Sequence, residues 1–345
     1  MKIKRRPDRF SPVAYALFAA TLIAAMLLCI CVGSVPVPLR DTVTALLCAL
    51  ARRPIPEGIS GAIILAVRLP RVLCVALAGA SLSLCGASMQ GLLRNPLADG
   101  STLGVSSGAA LGAVVAIFFG VTLPGLPYAG TMVMAMLFAF LSLLLILSLA
   151  YALDRTLETN SIILIGVIFS MFVSSLISLI IAFAGEKVKT ITFWTMGSMA
   201  SSNFTYAGLI ALALLACGLV LLSRARELNA FAIGEENARH VGVNVRRVKL
   251  TVLIAVSALT GVCVSVGGTI GFVGLVVPHM ARMLVGPNHR RLLPASLFFG
   301  AVFLLLADLV GRTLLSPIEL PIGVVTSLIG SVVCVAIFYR SRKAG

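Results

Sequence analysis

The polar positions of this chain fall in short clusters, and long uncharged apolar blocks lie between them. Runs without Asp, Glu, Lys or Arg cover residues 11–39, 72–93, 100–153, 159–185, 190–223, 250–281 and 320–339. An α-helix needs about 20 predominantly apolar residues to cross the hydrocarbon core. The blocks lack the alternating ten-residue pattern of a membrane β-barrel. They predict an all-α integral membrane protein of about ten transmembrane helices, at 12–33, 61–92, 100–120, 129–153, 160–184, 205–223, 249–267, 272–285, 291–314 and 320–339. The block 100–153 divides at Pro124-Gly125-Leu126-Pro127, and the block from Leu250 divides at Gly267-Gly268. Segment 272–285 is too short to span alone and contains Pro278.

A basic segment, 1–10, precedes the first apolar stretch, as in a secretory signal. That stretch exceeds the 7–15 residues of a signal core and no A-x-A site follows, so a first membrane helix is expected. Nineteen of the 27 basic residues fall on the loops that share a side with the N-terminus. The other eight are Arg40, Arg52, Arg53, Arg68, Arg71, Lys187, Lys189 and Arg312. This bias places both termini in the cytoplasm and makes the helix count even.

Composition narrows the chemistry. Apolar residues make up 59% and charged residues 11%, against roughly a quarter charged in soluble domains. The net charge of +15 raises nucleic acid as a partner. Its dispersal between apolar blocks argues for lipid and against nucleic acid. The eight cysteines form no CxxC pair and have no histidines nearby, so no metal or disulfide framework is expected. No phosphate-binding GxxxxGK[ST] segment and no HExxH segment is present. The reading is a chain with no catalytic residues and no cofactor. Asp308 stands within a helix, one turn from Arg312, close enough to pair. Ion-coupled carriers place ionisable groups near the midplane. Their scarcity here points to energy supplied by a partner.

The chain reads as one transmembrane domain over 1–345, with a faint internal repeat. Offset by 182 residues, Leu77–Pro96 aligns without gaps on Leu259–Pro278 with six identities. The two segments lie five helices apart and so cross in opposite directions, which makes the repeat an inverted one, relating helices 2–5 to helices 7–10. The longest loop on the N-terminal side, 224–247, places Leu228, Phe231 and Ala232 on one helical face and breaks at Gly234. It is either a rigid two-helix knob or a solvated connector with an amphipathic edge. Arg68, Arg71 and Arg312 at opposite-side helix ends either snorkel or receive acidic residues of a partner. Dense Gly and Ser in helices 2, 3 and 7 mark close packing, with pathway lining as the alternative.

Several segments together resemble the FecCD family, the permeases of ABC importers for iron–siderophores, haem and cobalamin. They are Arg68-Leu69-Pro70-Arg71, Gly86-Ala87-Ser88-Met89-Gln90-Gly91, Arg94-Asn95-Pro96-Leu97-Ala98-Asp99, Phe193-Trp194-Thr195-Met196-Gly197-Ser198, Ile270-Gly271-Phe272-Val273-Gly274-Leu275 and Glu319-Leu320-Pro321-Ile322-Gly323. The resemblance runs from about residue 61 onward. It implies a permease subunit in the bacterial plasma membrane, most often for an iron–siderophore. Its implied partners are a second permease subunit, a cytosolic ABC ATPase dimer and an external substrate-binding protein. By the same resemblance Leu228, Asn229, Phe231, Gly234, Glu235, Ala238 and Gly242 couple to the ATPase. Arg68, Arg71 and Arg312 dock the binding protein, and Asn95, Leu97 and Asn160 form a cytoplasmic gate. The sequence departs from the family where Gly100 and Thr269 stand at frequent proline positions, and at Gly330-Ser331-Val332-Val333-Cys334.

Overall fold

The computed structural model describes residues 8, 10–33, 36–56, 58, 61–122, 129–153 and 159–343, and the turn expected at 124–127 lies outside them. Among the described residues, seven helices are long and apolar enough to cross a membrane, and three shorter apolar helices accompany them. In chain order the long ones are α1 (Pro12–Cys31), α3 (Leu69–Leu93, extended back to Ile63 by a π-helical turn), α5 (Ala129–Leu153), α6 (Thr159–Phe183), α8 (Phe204–Ser223), α11 (Val245–Gly267) and α13 (His289–Thr313). The shorter ones are α4 (Val105–Phe119), α12 (Val273–Val285) and α14 (Ile322–Lys343). All ten expected segments are therefore helical. Four further short helices are α2 (Leu39–Leu50), α7 (Val188–Thr195), α9 (Ala225–Phe231) and α10 (Glu235–His240).

Local chemistry sets the helix ends. Ser11 caps α1 through its Oγ, which accepts from Ala14 N at 3.3 Å, and Pro12 fills the first turn. Asn203, Asn244 and Asn288 cap α8, α11 and α13 in the same way. Pro278 and Pro294 lie inside α12 and α13 without ending them.

α3 sits at the centre, with nearly every residue from Cys74 to Leu93 buried. It packs on α12 and α13, while α11 packs on α4 and α5. Each half thus lays its first long helix against the second and third helices of the other. The gap-free register read from sequence does not hold at its end: Pro96 lies in the turn after α3, whereas Pro278 lies inside α12. The connections after α3 and α11 differ in length, and an alignment without gaps cannot follow them. α3 crosses its neighbours where two glycines meet. A Cβ on Gly86 would overlap the Gly274 carbonyl, and one on Gly79 would overlap that of Gly300. The glycine density therefore serves close backbone approach at these crossings.

Two departures from the family pattern have a local account. A Cβ at Gly100 would meet Thr260 Oγ1 at 2.7 Å, so the turn before α4 lies tight against α11. Thr269 Oγ1 donates to the Thr195 carbonyl at the end of α7. That tie holds the link between α11 and α12 against α7, beside the bond from Ile322 N to the Gly197 carbonyl at 3.1 Å.

Candidate functional site

The 224–247 segment folds as α9 and α10 around Gly234. This residue takes φ 112° and ψ 150°, a region essentially confined to glycine. The Gly234 carbonyl accepts from Ala238 N at 2.9 Å and starts α10. Leu228 and Phe231 are fully buried, packed in the same core cluster as Leu221, Val248 and Leu253, and Ala238 is buried as well. Asn229 Oδ1 accepts from His289 N at 2.8 Å and lies 2.9 Å from His289 Nδ1, while its Nδ2 donates to Asn288 Oδ1 at 2.9 Å. Glu235 Oε1 lies 2.7 Å from Lys249 Nζ, which is wholly buried in α11. Gly242, at φ 88°, closes the second bend.

Six of the seven expected coupling residues thus have plain local roles. Leu228, Phe231 and Ala238 seat the knob. Asn229 and Glu235 bind it to α13 and α11, and Gly234 sets its angle. The surface it presents is made by other residues. Ile233 and Val241 are 60% and 66% exposed, and Glu236, Asn237, Arg239 and His240 are exposed beside them. Sequence reasoning named the periodic face. In a helix docked on a core that face turns inward, and the signal for the outward residues was the opposite face.

Of the three expected docking arginines, Arg71 and Arg312 meet at Asp308, and the head of Arg68 lies near that of Arg312. Arg68 Nη1 donates to the carbonyls of Ile30 and Cys31 at 2.6 and 3.1 Å, at the C-terminus of α1, where a cation meets the negative end of the helix dipole. Arg71 donates through Nη2 and Nε to Asp308 Oδ1 at 3.0 and 3.2 Å, and through Nη1 to both oxygens of Glu319 at 2.9 and 3.0 Å. Arg312 Nη2 donates to the Cys29 carbonyl at 3.0 Å. Its Nε lies 2.9 Å from Asp308 Oδ2, an ion contact without hydrogen-bond alignment. Arg68, Arg312 and Asp308 are buried, and the Glu319 side chain is 45% exposed. The expected Asp308–Arg312 pair is present. The sequence reading missed Arg71 on Asp308, 237 positions away, and Glu319.

Asn95 follows Arg94, whose φ is 51°, and its Oδ1 accepts from Leu97 N at 2.9 Å. Leu97 and Asn160 are exposed, the latter in the first turn of α6. α6 also exposes Ser174, Ser175 and Ser178 beside Met171 and Phe172, a mixed surface on an otherwise apolar span. A cavity of about 690 Å³ lies where α4, α5, α7, α8 and α11 meet, lined by Trp194, Tyr206, Lys189 and Ser265 among others.

The FecCD transport family model matches residues 21–340. The chain is 40% identical to YvrB of Bacillus subtilis strain 168, an uncharacterized ABC transporter permease protein. That alignment covers all of this chain and 98% of YvrB. It is 36% identical to the molybdate import system permease protein MolB of Haemophilus influenzae, over 99% of both chains. Further relatives are described as cobalamin, hemin and iron chelatin permeases. A solved structure described as an inward-facing metal-chelate type ABC transporter aligns with a TM-score of 0.83 and 33% identity, over 96% of this chain and 100% of that one.

Proposed function

The chain belongs to the FecCD transport family, and from that premise we propose that it is one of two permease subunits lining a central pathway for an iron–siderophore complex. An external binding protein delivers the substrate, and two cytosolic ATPase subunits drive its passage. The chain is a multi-pass membrane protein and the permease of an ABC importer of metal-chelate type. The choice of iron–siderophore, the partners and the orientation are our reading. We place α9 and α10 in the cytosol, which makes the Asp308 cluster face outward.

The observation that carries the proposal is the braced knob. Its inner face is locked to α11 and α13 by Lys249, His289 and Asn288, and its outer face offers Ile233 and Val241 with polar neighbours. A rigid, partly apolar protrusion fits a cleft in a moving partner and can pass that motion to two spans. Asn95, Leu97 and Asn160 are assigned to the gate on the same side. The exposed serines of α6 lie further along that span, toward its other end, and support an aqueous or subunit-facing surface at that depth, because lipid gives an exposed hydroxyl no partner beyond its own helix.

The test is ATP hydrolysis by the reconstituted complex, with the binding protein loaded in turn with a ferric siderophore, haem, cobalamin or molybdate. Ferric siderophore should stimulate most. Stimulation by one of the other three overturns the substrate, and transport that proceeds without ATP overturns the class.

A further inference from the structure

On the coupling-loop side a second cavity, of about 770 Å³, opens between the N-terminus of α1, the junction of α8 and α9, and the N-terminus of α13. Its lining includes Phe10, Tyr15, Arg226, Glu227, Arg290 and His289. Three candidate spans end here: α1 begins at Pro12, α8 ends at Ser223 and α13 begins at His289. The cavity therefore sits at the depth where hydrocarbon gives way to headgroups. Phe10 and Tyr15 pack edge to face at 5.8 Å, an aromatic pair at that level.

The charge there is unbalanced. Arg226 and Arg290 line the cavity, Arg224 and Arg291 stand close to them in the chain, and two carboxylates accompany these four guanidinium groups. Glu227 pairs with Arg224 at 3.1 Å, and Asp8, itself 70% exposed, pairs with Arg290 at 3.3 Å. Arg226 is exposed and has no ion pair among the described residues. Arg291 lies 4.9 Å above the Phe10 ring. Arg224 Nε and Arg291 Nε are buried N–H donors without an acceptor among the described residues. Arg290 and Arg291 also stand in the first turn of α13, where the helix dipole disfavours cations and attracts anions.

We propose that this cavity binds the phosphate of an anionic phospholipid, with Arg226 and Arg290 on the headgroup and Phe10 and Tyr15 against the upper acyl chain. A phosphate diester supplies an acceptor for Arg226, which has no ion pair among the described residues, and for Arg290, whose partner Asp8 is mostly exposed and can be displaced. A lipid accounts for the aromatic wall and the depth, which a free phosphate leaves without a role. The assignment to the inner leaflet rests on the orientation proposed above, whereas retention of the lipid does not depend on it.

The test uses the full-length permease in its complex, stripped of lipid and exposed to vesicles of phosphatidylcholine with or without phosphatidylglycerol. Retained lipid is read by native mass spectrometry. Each basic residue near a membrane surface favours an anionic lipid about fivefold, so phosphatidylglycerol should be retained at least about fivefold over phosphatidylcholine. Arg226→Ala with Arg290→Ala should abolish that preference, and Arg226→Lys with Arg290→Lys should keep most of it. Unfolding temperatures of both double variants identify any loss that is only structural. Equal retention of the two lipids, or an unchanged preference in the alanine variant, overturns the proposal. So does competition by soluble glycerol phosphate as effective as that by the lipid, which would make the ligand a free phosphate. If the alanine variant instead loses its ATPase subunits while keeping the preference, the surface belongs to a protein partner and the lipid assignment fails.

Discussion

The two ends of α13 carry the same residue type in opposite electrostatic states. At the C-terminal end, Arg71 and Arg312 share the buried Asp308, Glu319 holds the outer side of Arg71, and Arg68 caps the last carbonyls of α1. At the N-terminal end, four arginines meet two partly exposed carboxylates, and two donors stay unmade. Basicity in the sequence therefore does not locate a ligand. What separates a structural cluster from a receptive one is whether acids distant in sequence arrive to neutralise it. The first end is closed by the chain itself, and the second is left for something else to close.

The comparison breaks most sharply at Asp308. Removing one partner of a buried ion pair leaves an uncompensated charge and costs about 3–5 kcal/mol. Asp308→Ala removes the carboxylate whose two oxygens serve Arg71 and Arg312, leaving Arg312 only the Cys29 carbonyl and Arg71 only Glu319 among these partners. We expect a drop of many degrees in the unfolding temperature in detergent, and poor recovery from membranes. A drop of only a degree or two would mean that water already screens this end, and the contrast with the other end would vanish.

Next in size is Gly234→Val. The residue sits at φ 112°, and an added Cβ would make only ordinary contacts with Asn237 Nδ2 at 3.5 Å and Arg94 Nη1 at 3.9 Å, so the cost is mainly backbone strain of about 1–3 kcal/mol. The strain should rotate α10 on α9 and remove ATPase stimulation while the protein still inserts. Unchanged stimulation returns the segment to a passive connector. At the same end, Arg226→Ala should change stability by less than about 1 kcal/mol, because the residue is exposed and has no ion pair among the described residues. Arg226→Ala and Asp308→Ala in parallel thus measure the difference between the two ends of α13 directly.

These contrasts also show what the sequence made legible. Runs of apolar residues located all ten membrane segments, since length and hydropathy depend only on local composition. Family segments pointed to α9, Gly234 and α10. The sequence reading did not foresee α2 or α7, which are short helices outside the long apolar pattern. It also missed which side of the knob is exposed, because a period of 3.6 marks a face without saying whether core or partner covers it. The pairing of Arg71 with Asp308 was hidden because it links α3 to α13 across 237 positions, and only the fold brings them together. The four arginines at and beside the open cavity lie on two loops about 65 residues apart and looked like ordinary positive-inside charge.

The smallest expected effect is also the most discriminating. Reversing Arg68 and Arg71 together to Glu is the direct test of docking, but Arg68 also holds two carbonyls of α1, so the double variant confuses folding with recognition. Glu319→Gln avoids this. Glu319 is the exposed member of the cluster and touches Arg71 alone among the described arginines. A surface ion pair of this kind is worth about 0–1 kcal/mol, and Asp308 still neutralises the buried side of Arg71. Stability should hardly move. If an acidic residue of the binding protein takes the place of Glu319 on Arg71, then removing the resident carboxylate's charge should raise the association rate. Electrostatic complementarity acts mainly on that rate, and the gain should be clear at low salt and fade as salt screens it. An unchanged rate at low salt, with stability also unchanged, would mean that Arg71 is spent on holding α3 to α13 and that the binding protein recognises another part of this face.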